Sequence, residues 1–356
     1  MLEFKPDFAE AQRRWAAFWA GEIIDRPLIA IRAPKDGAEY VPGPPYTAGS
    51  DGNFAPVVEA AVASAAGVYW GAEAMPCYVP SFGPDQMAAY MGAELKWAPG
   101  SKVGADTNWV EAFVDNWDDV MPLTIREDNP WWVRMQEFMR QLGEAATGKM
   151  LIGHIDLHSN ADLLAAIRYP SKLCVDMMDI PEKMDELMLQ ARALYSYVYD
   201  RLYEAAQMDR YGTCGWVTAY HTGKTNTIQC DYAALIGPKQ FDRWVLPALI
   251  EEAEFLDHSC YHYDGPEALC HLDSICSIEA LDVIQWTPGA AHEPMIGWMD
   301  LLKDIQSRGK GLYIGTSAEE LKIYCKELRP EKVFYDVYVG SEKEADETVQ
   351  WLVDNT

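Results

Sequence analysis

The sequence predicts an α/β protein, a (β/α)8 TIM barrel with an N-terminal helical extension and long early loops. Three observations lead there. Strand-like and helix-like stretches alternate from about residue 150 to the C-terminus, the pattern of a parallel sheet joined by helical crossovers. The length of 356 residues favours a closed sheet over an open one and suits a barrel with insertions. Polar residues also recur where the strands end, the edge on which parallel α/β folds build sites. No internal linker interrupts the chain, so residues 1–356 are read as one domain.

Residues 6–20 (PDFAEAQRRWAAFWA) have helical spacing, with Phe8, Ala11, Trp15 and Phe18 or Trp19 along one side. Gly21 breaks that pattern, and DRPLIAIRAP supplies a first strand over about 28–32, stopped by Pro34. PKDGAEYVPGPPYTAGSDGN is a loop by composition; one this long is a candidate lid as much as a plain surface excursion. A helix over about 55–68, a short strand in AMPCYVPSFGP and a helix from Asp85 to about Met91 follow. The tryptophan-dense stretch 97–135 breaks into short strands and turns, and Glu111 within it is either an exposed acid or a pocket carboxylate. A long amphipathic helix covers about 132–146.

From there MLIGHID predicts a strand and SNADLLAAIRYP a helix with Ser159 or Asn160 as N-cap. Another helix runs from Pro181 to about Ala206. TCGWVTAYH reads as a strand and TGKTNTIQCD as the loop after it. Helix over about 238–256 leads into a strand in SCYHYD, ALDVIQW makes the next, and GLYI and KVFYDVYV the last two. Ser317 with Glu320, and Ser341 with Glu344, form capping boxes for the final helices.

Composition narrows the function. With 29 basic against 55 acidic residues the net charge is −26, a field that repels phosphate backbones, so nucleic acid is a poor partner. The N-terminus lacks a signal-peptide run and no window approaches a membrane span, so a cytoplasmic location and no membrane partner are expected. The eight cysteines form no paired C-x-x-C motif and suit reduced thiols. All seven histidines lie between His154 and His292, which places any imidazole chemistry in that part of the chain.

The stretch Ser259–Asp273 (SCYHYDGPEALCHLD) is the centre of the candidate site. On a strand, His258, Cys260, His262 and Asp264 share one face and Tyr261 and Tyr263 the other. Gly265 and Pro266 end the strand, leaving His262 and Asp264 at its carboxyl end. The bland alternative is an internal strand whose His and Asp bond each other. Other strand ends contribute Asp156 and His158, Tyr220 and His221, Cys230 and Asp231, and His292 with Glu293. Trp216 and Trp286 are candidate pocket walls for a flat or cationic ligand.

His and Asp are competent metal ligands, and a catalytic zinc takes three protein groups with one position open. His292-Glu293 lacks the second histidine of an H-E-x-x-H helix. The full phosphate-binding G-x-x-x-x-G-K-[ST] motif, the G-x-G-x-x-G turn and the G-x-S-x-G elbow are also missing from the sequence.

In series, VPSFGPDQMAAYMGAEL, LAAIRYPSKLCVDMMDIPEKM, QCDYAALIGPKQFDRWVLPAL, YHYDGPEALCHLDSI and IQWTPG resemble the uroporphyrinogen decarboxylase superfamily over most of residues 70–355. That superfamily includes decarboxylases and corrinoid-linked methyltransferases, and the resemblance implies a (β/α)8 barrel. The methyltransferase branch is similar in carrying H-x-C-G at this strand, with His and Cys as zinc ligands and a further cysteine near the last strand. Here the motif is H-Y-D-G: His262 matches, Asp264 replaces the cysteine, and KVFYDVYVGS has none. The decarboxylase branch has an arginine-rich N-terminal motif, for which only Arg26 and Arg32 stand near.

The resemblance therefore implies a methyltransferase-like enzyme passing a methyl group from a small methylated compound to a corrinoid on a partner protein. His262 and Asp264 are the expected catalytic and metal-binding pair, with zinc as the expected metal. Asp156, His158, Tyr220, His221, Asp231, Trp286 and His292 are expected to position substrate. DLHSNA has Ala161 where a D-x-H-x-x-G corrinoid signature needs glycine, so the corrinoid belongs to a separate protein. The alternatives are a cofactor-independent decarboxylase of a non-porphyrinogen substrate and a non-catalytic small-molecule or corrinoid binder. The oligomeric state stays open, a homodimer included.

Overall fold

A computed structural model describes residues 1–289 and 292–356. Its strands are β1 (Leu28–Pro34), β2 (Val68–Ala72), β3 (Cys77–Tyr78), β4 (Glu94–Trp97), β5 (Asn108–Glu111), β6 (Leu151–Ile152) and β7 (Thr213–Cys214). Then come β8 (Tyr220–His221), β9 (Thr225–Gln229), β10 (His258–Asp264), β11 (Val283–Thr287), β12 (Gly311–Thr316) and β13 (Val333–Tyr338). A seven-stranded sheet runs in the order β2-β1-β13-β12-β11-β10-β9. All its neighbours are parallel except β2, which pairs antiparallel with β1. The fold is thus mixed α/β with a mostly parallel central sheet.

Each strand alternates between two apolar environments. Ile29, Ile31, Tyr261, Tyr263, Ile284, Trp286, Leu312, Ile314 and Tyr335 are buried in the main core together with residues of the long helices. Leu28, Cys260, Val283 and Phe334 instead join the apolar stripe of the helix Phe8–Trp19 in a second core. That stripe is Phe8, Ala11, Trp15, Phe18 and Trp19, all buried, as the helical spacing predicts. Burying a side chain such as Phe8 or Phe18 contributes about 1.5–3 kcal/mol. The N-terminal helix therefore seals the amino ends of the central strands.

Several elements differ from the sequence expectation. TGKTNTIQCD is not a loop: Thr225–Gln229 is β9, with all five residues buried. Its polar side chains escaped the alternation signal because their partners lie on other elements, far away in sequence. Thr225 Oγ donates to the His258 carbonyl at 2.8 Å, and the Asn226 amide donates to the Ile155 carbonyl at 3.3 Å. TCGWVTAYH in turn splits into β7 and β8, which pair antiparallel. β2 and the helix Pro170–Asp179 were not foreseen. Within MLIGHID only β6 is a regular strand. Ser159 does precede the helix Asn160–Arg168, but its hydroxyl makes no capping bond; it donates to buried Glu252 at 2.5 Å. At both predicted C-terminal capping boxes the serine half forms, Ser317 and Ser341 each accepting the backbone N–H three residues on at 3.2 Å, while Glu320 accepts from Thr316 Oγ1 (3.3 Å) and Glu344 from the Gly340 N–H (2.9 Å) instead of from the capping residue. Among the described residues, no helix is long and apolar enough to cross a membrane.

Candidate metal centre

β10 forms as the alternation predicts, and its register puts His262 beside Gln285 of β11 and Gln229 of β9. All three side chains lie on the same side of the sheet. His262 Nδ1 is 2.6 Å from Gln285 Oε1. An amide oxygen can only accept, so Nδ1 donates, and Nε2 is the ring nitrogen left to face a ligand. The Trp216 ring meets the imidazole edge-on at 4.9 Å and fixes its plane.

One further ligand comes from the next strand end. β9 runs into a tight turn, Asp231–Leu235. The Asp162 carboxylate accepts the backbone N–H groups of Asp231 (3.0 Å) and Tyr232 (2.8 Å), which fixes where that turn starts. Burial, with the Asp231 charge second, pushes the Asp162 carboxyl above its ordinary range. The result is that Asp231, His262 and Asp264 each offer one ligand atom, all within 4.8 Å of one another. Burial raises the Asp264 pKa, His262 lowers it, and the charges of Asp231 and Glu267 raise it again. A cation placed among these groups relieves that repulsion. Three oxygen and nitrogen donors with one position open fit a zinc site, and Gln285 supplies the outer hydrogen bond that orients its histidine.

The cluster opens on a cavity of about 440 Å3 lined by Tyr46, Ser81, Asp156, His158, Trp216, Gln229, Asp231 and His262 among others. His158 Nε2 lies 3.2 Å from Asp156 Oδ2 and also meets the Gln229 amide. Burial opposes its charge, yet Asp156 first, then Asp162 and Asp231, raise its pKa to about 10. It is therefore an imidazolium at neutral pH. Asp156 Oδ1 and Trp216 Nε1 are buried without a hydrogen-bond partner among the described residues, as polar atoms in a ligand site often are. Tyr46 comes from the long loop after β1 and is half exposed, so that loop contributes part of one cavity wall. Burial raises the Tyr46 pKa, and Asp156 and Asp85 add to the effect.

A second cavity of about 380 Å3 shares Pro84, His158 and Asp231 with the first. Its other walls include Asp85, Trp109, Val110, Asp162, Ala165, Ala166, Tyr169 and Leu235.

The expected site residues divide accordingly. Asp156, His158, Trp216, Asp231, His262 and Asp264 come together. Tyr220 and His221 do not, because β8 folds back on β7 and carries them to the opposite end of β10. There the Tyr220 hydroxyl accepts from Gln12 at 2.8 Å and donates to the Tyr211 carbonyl at 2.6 Å. His221 packs edge-on against His258 at 4.6 Å, and burial lowers its pKa. Trp286 is a second correction. It sits on the helix-facing side of β11, fully buried against Tyr263 and Trp298, since strand parity gives the cavity side to Gln285. His292 is exposed, and its backbone N–H donates to the Gly289 carbonyl at 3.3 Å; Ala290 and Ala291 before it lie outside the described residues. Cys260 and Cys230 are buried thiols whose pKa burial pushes up, and neither joins the cluster. Glu111 is exposed, 3.4 Å from Lys96. Sequence reasoning missed Tyr46, Gln229, Gln285 and Asp85. Gln285 was recoverable from parity once β11 was placed.

No protein-family model matches the chain, and no curated protein does. Among solved structures it is similar to a methyltransferase from Methanosarcina mazei, at 12% identity and a TM-score of 0.62. The alignment covers 97% of this chain and 98% of that one. At this identity the likeness establishes the fold.

Proposed function

We propose that this chain is a methyltransferase-like enzyme that moves a methyl group from a small methylated compound to a corrinoid on a partner protein. The observation that carries the reading is the Asp231–His262–Asp264 cluster at a cavity open to solvent. Zinc is the metal proposed for it. When bound, zinc would draw electron density from the donor heteroatom and make the demethylated product a better leaving group. The chain's own residues do the rest. Gln285 accepts from His262 Nδ1 and so turns Nε2 toward the cluster, Tyr46 lines the cavity mouth, and His158 keeps a proton at Nε2 on the cavity wall.

The M. mazei methyltransferase supports the same reading through its shared fold. We also propose that the sheet and the short pairs form one closed (β/α)8 barrel over residues 1–356. Its support is a chain of backbone bonds, Gly153 N to Tyr78 O (2.9 Å) and His154 N to Cys214 O (2.7 Å), that continues the strand series from β3 through β6 to β7. The decarboxylase alternative is less well supported, because neither cavity is lined by Lys or Arg to hold a substrate carboxylate. Its one charged base, His158, is already beside Asp156.

The test is metal analysis joined to a transfer assay. Purification without chelators should yield about one zinc per chain, and one of a panel of methylated donors should methylate a free or protein-bound corrinoid, read by absorbance. Metal-free protein of full activity, or carbon dioxide release from a carboxylated ligand with no corrinoid methylation, overturns the proposal.

A further inference from the structure

We infer that Glu252 is a positioning residue for Asp231: it holds the start of the helix Asn160–Arg168, and that helix start grips the turn that carries Asp231. The inference rests on the metal reading above only in taking Asp231 as a ligand. Glu252 stands on the helix Leu246–Phe255, 2% exposed, and lines neither cavity. Its two oxygens are used unequally. Oε1 accepts from Ser159 Oγ at 2.5 Å and from Asn160 Nδ2 at 3.2 Å, whereas Oε2 is buried without a partner among the described residues. A half-satisfied acid is a poor way to fill a core, where an apolar side chain of the same shape costs less. What it holds explains it better. Burial raises its pKa to about 8, so near pH 7 it is mostly a neutral carboxyl and adds little charge beside Asp162.

Three bonds run on from there to the site. The Asn160 amide donates to the carbonyl of Gln229, the last residue of β9, at 2.9 Å. Asp162, in the same helical turn, accepts the N–H groups of Asp231 at 3.0 Å and Tyr232 at 2.8 Å. The backbone from 229 to 232 is thus clamped by one helix start, and Glu252 supports that clamp from outside. The clamp needs support because Asn160 has a φ of 50°, a left-handed backbone that a side chain keeps only when its surroundings hold it. Asparagine tolerates this conformation and supplies the amide that glycine lacks.

Hydrogen-exchange mass spectrometry and chelator competition for zinc, both on the full chain, test this. Glu252→Met keeps the volume and removes the acceptor, whereas Glu252→Gln keeps the acceptor. Asn160→Gly suits the left-handed backbone and removes the amide. In the Met and Gly variants, exchange of the peptide 229–235 should quicken about tenfold with the amides of β12 and β13 unchanged. Zinc affinity should fall about tenfold in the same two, the lower end of the loss for groups that orient a ligand from outside. The Gln variant should match the wild type in both measurements. A wild type that takes up no zinc would overturn the metal reading alone, since exchange still reports on the turn. Unchanged exchange at 229–235 in the Met and Gly variants, an equal rise across β12 and β13, full zinc affinity in both, or a Gln variant as impaired as the Met one overturns the inference.

Discussion

The two ends of β10 carry nearly the same chemistry and meet opposite fates. At its amino end His258 lies 3.0 Å from Asp282 and stacks on Trp19 at 4.3 Å, with His221 edge-on. At its carboxyl end His262 bonds Gln285 and faces two carboxylates across an open cavity. Both histidines lie on the same face of one strand, and both have an acid and an aromatic neighbour. The difference is the cover. The helix Phe8–Trp19 packs over the first, whereas a glycine and proline turn and the long loop bearing Tyr46 stand at the second. Residue type alone does not make a centre; room for a ligand does.

The comparison can be broken in four ways, of decreasing size. His262→Ala should reduce zinc from about one equivalent to a trace, while His258→Ala leaves it intact; equal loss in both would erase the distinction between the ends. Trp19→Ala should cost about 3–5 kcal/mol in denaturant unfolding with zinc content unchanged, the amount expected for emptying a buried aromatic site. Gln285→Ala should lower zinc affinity about 10–100-fold, measured by competition with a chelator, because it removes the bond that orients His262. No change there would mean that packing against Trp216 suffices.

The smallest effect concerns pH. The folded pKa of His158 is about 10, above its ordinary value of 6.5. Its stabilising charge is thus fully present below 6.5 and is lost as pH rises through about 10. The unfolding free energy of the wild type minus that of His158→Gln should shrink across that window. A difference that stays constant would show that His158 is not charged in the folded protein.

The sequence made β10 legible down to its facing residues, because alternation of His, Cys, His and Asp against two tyrosines has one strand reading. The serine caps and the N-terminal stripe were equally legible, being local patterns. β9 was not: Thr225, Asn226, Thr227 and Gln229 are polar, and only the tertiary partners of their side chains make their burial tolerable. The misplacement of Tyr220 and His221 follows from the same stretch. Reading one strand through TCGWVTAYH carries them to the site, whereas the observed reversal at β8 carries them away from it. Asp231 was singled out, but its role as a third ligand depends on Asp162 setting the turn from another helix, which spacing cannot reveal.

The chemistry of the Asp231–His262–Asp264 donor set also has a consequence for handling. The donors Asp231, His262 and Asp264 contain no sulfur, so peroxide and dissolved oxygen have nothing to attack among them. A thiolate centre survives air only while its sulfur is bound or reduced. Under the proposed metal reading, the protein should pass through metal removal and aerobic storage with its donor set chemically unchanged, ready to rebind.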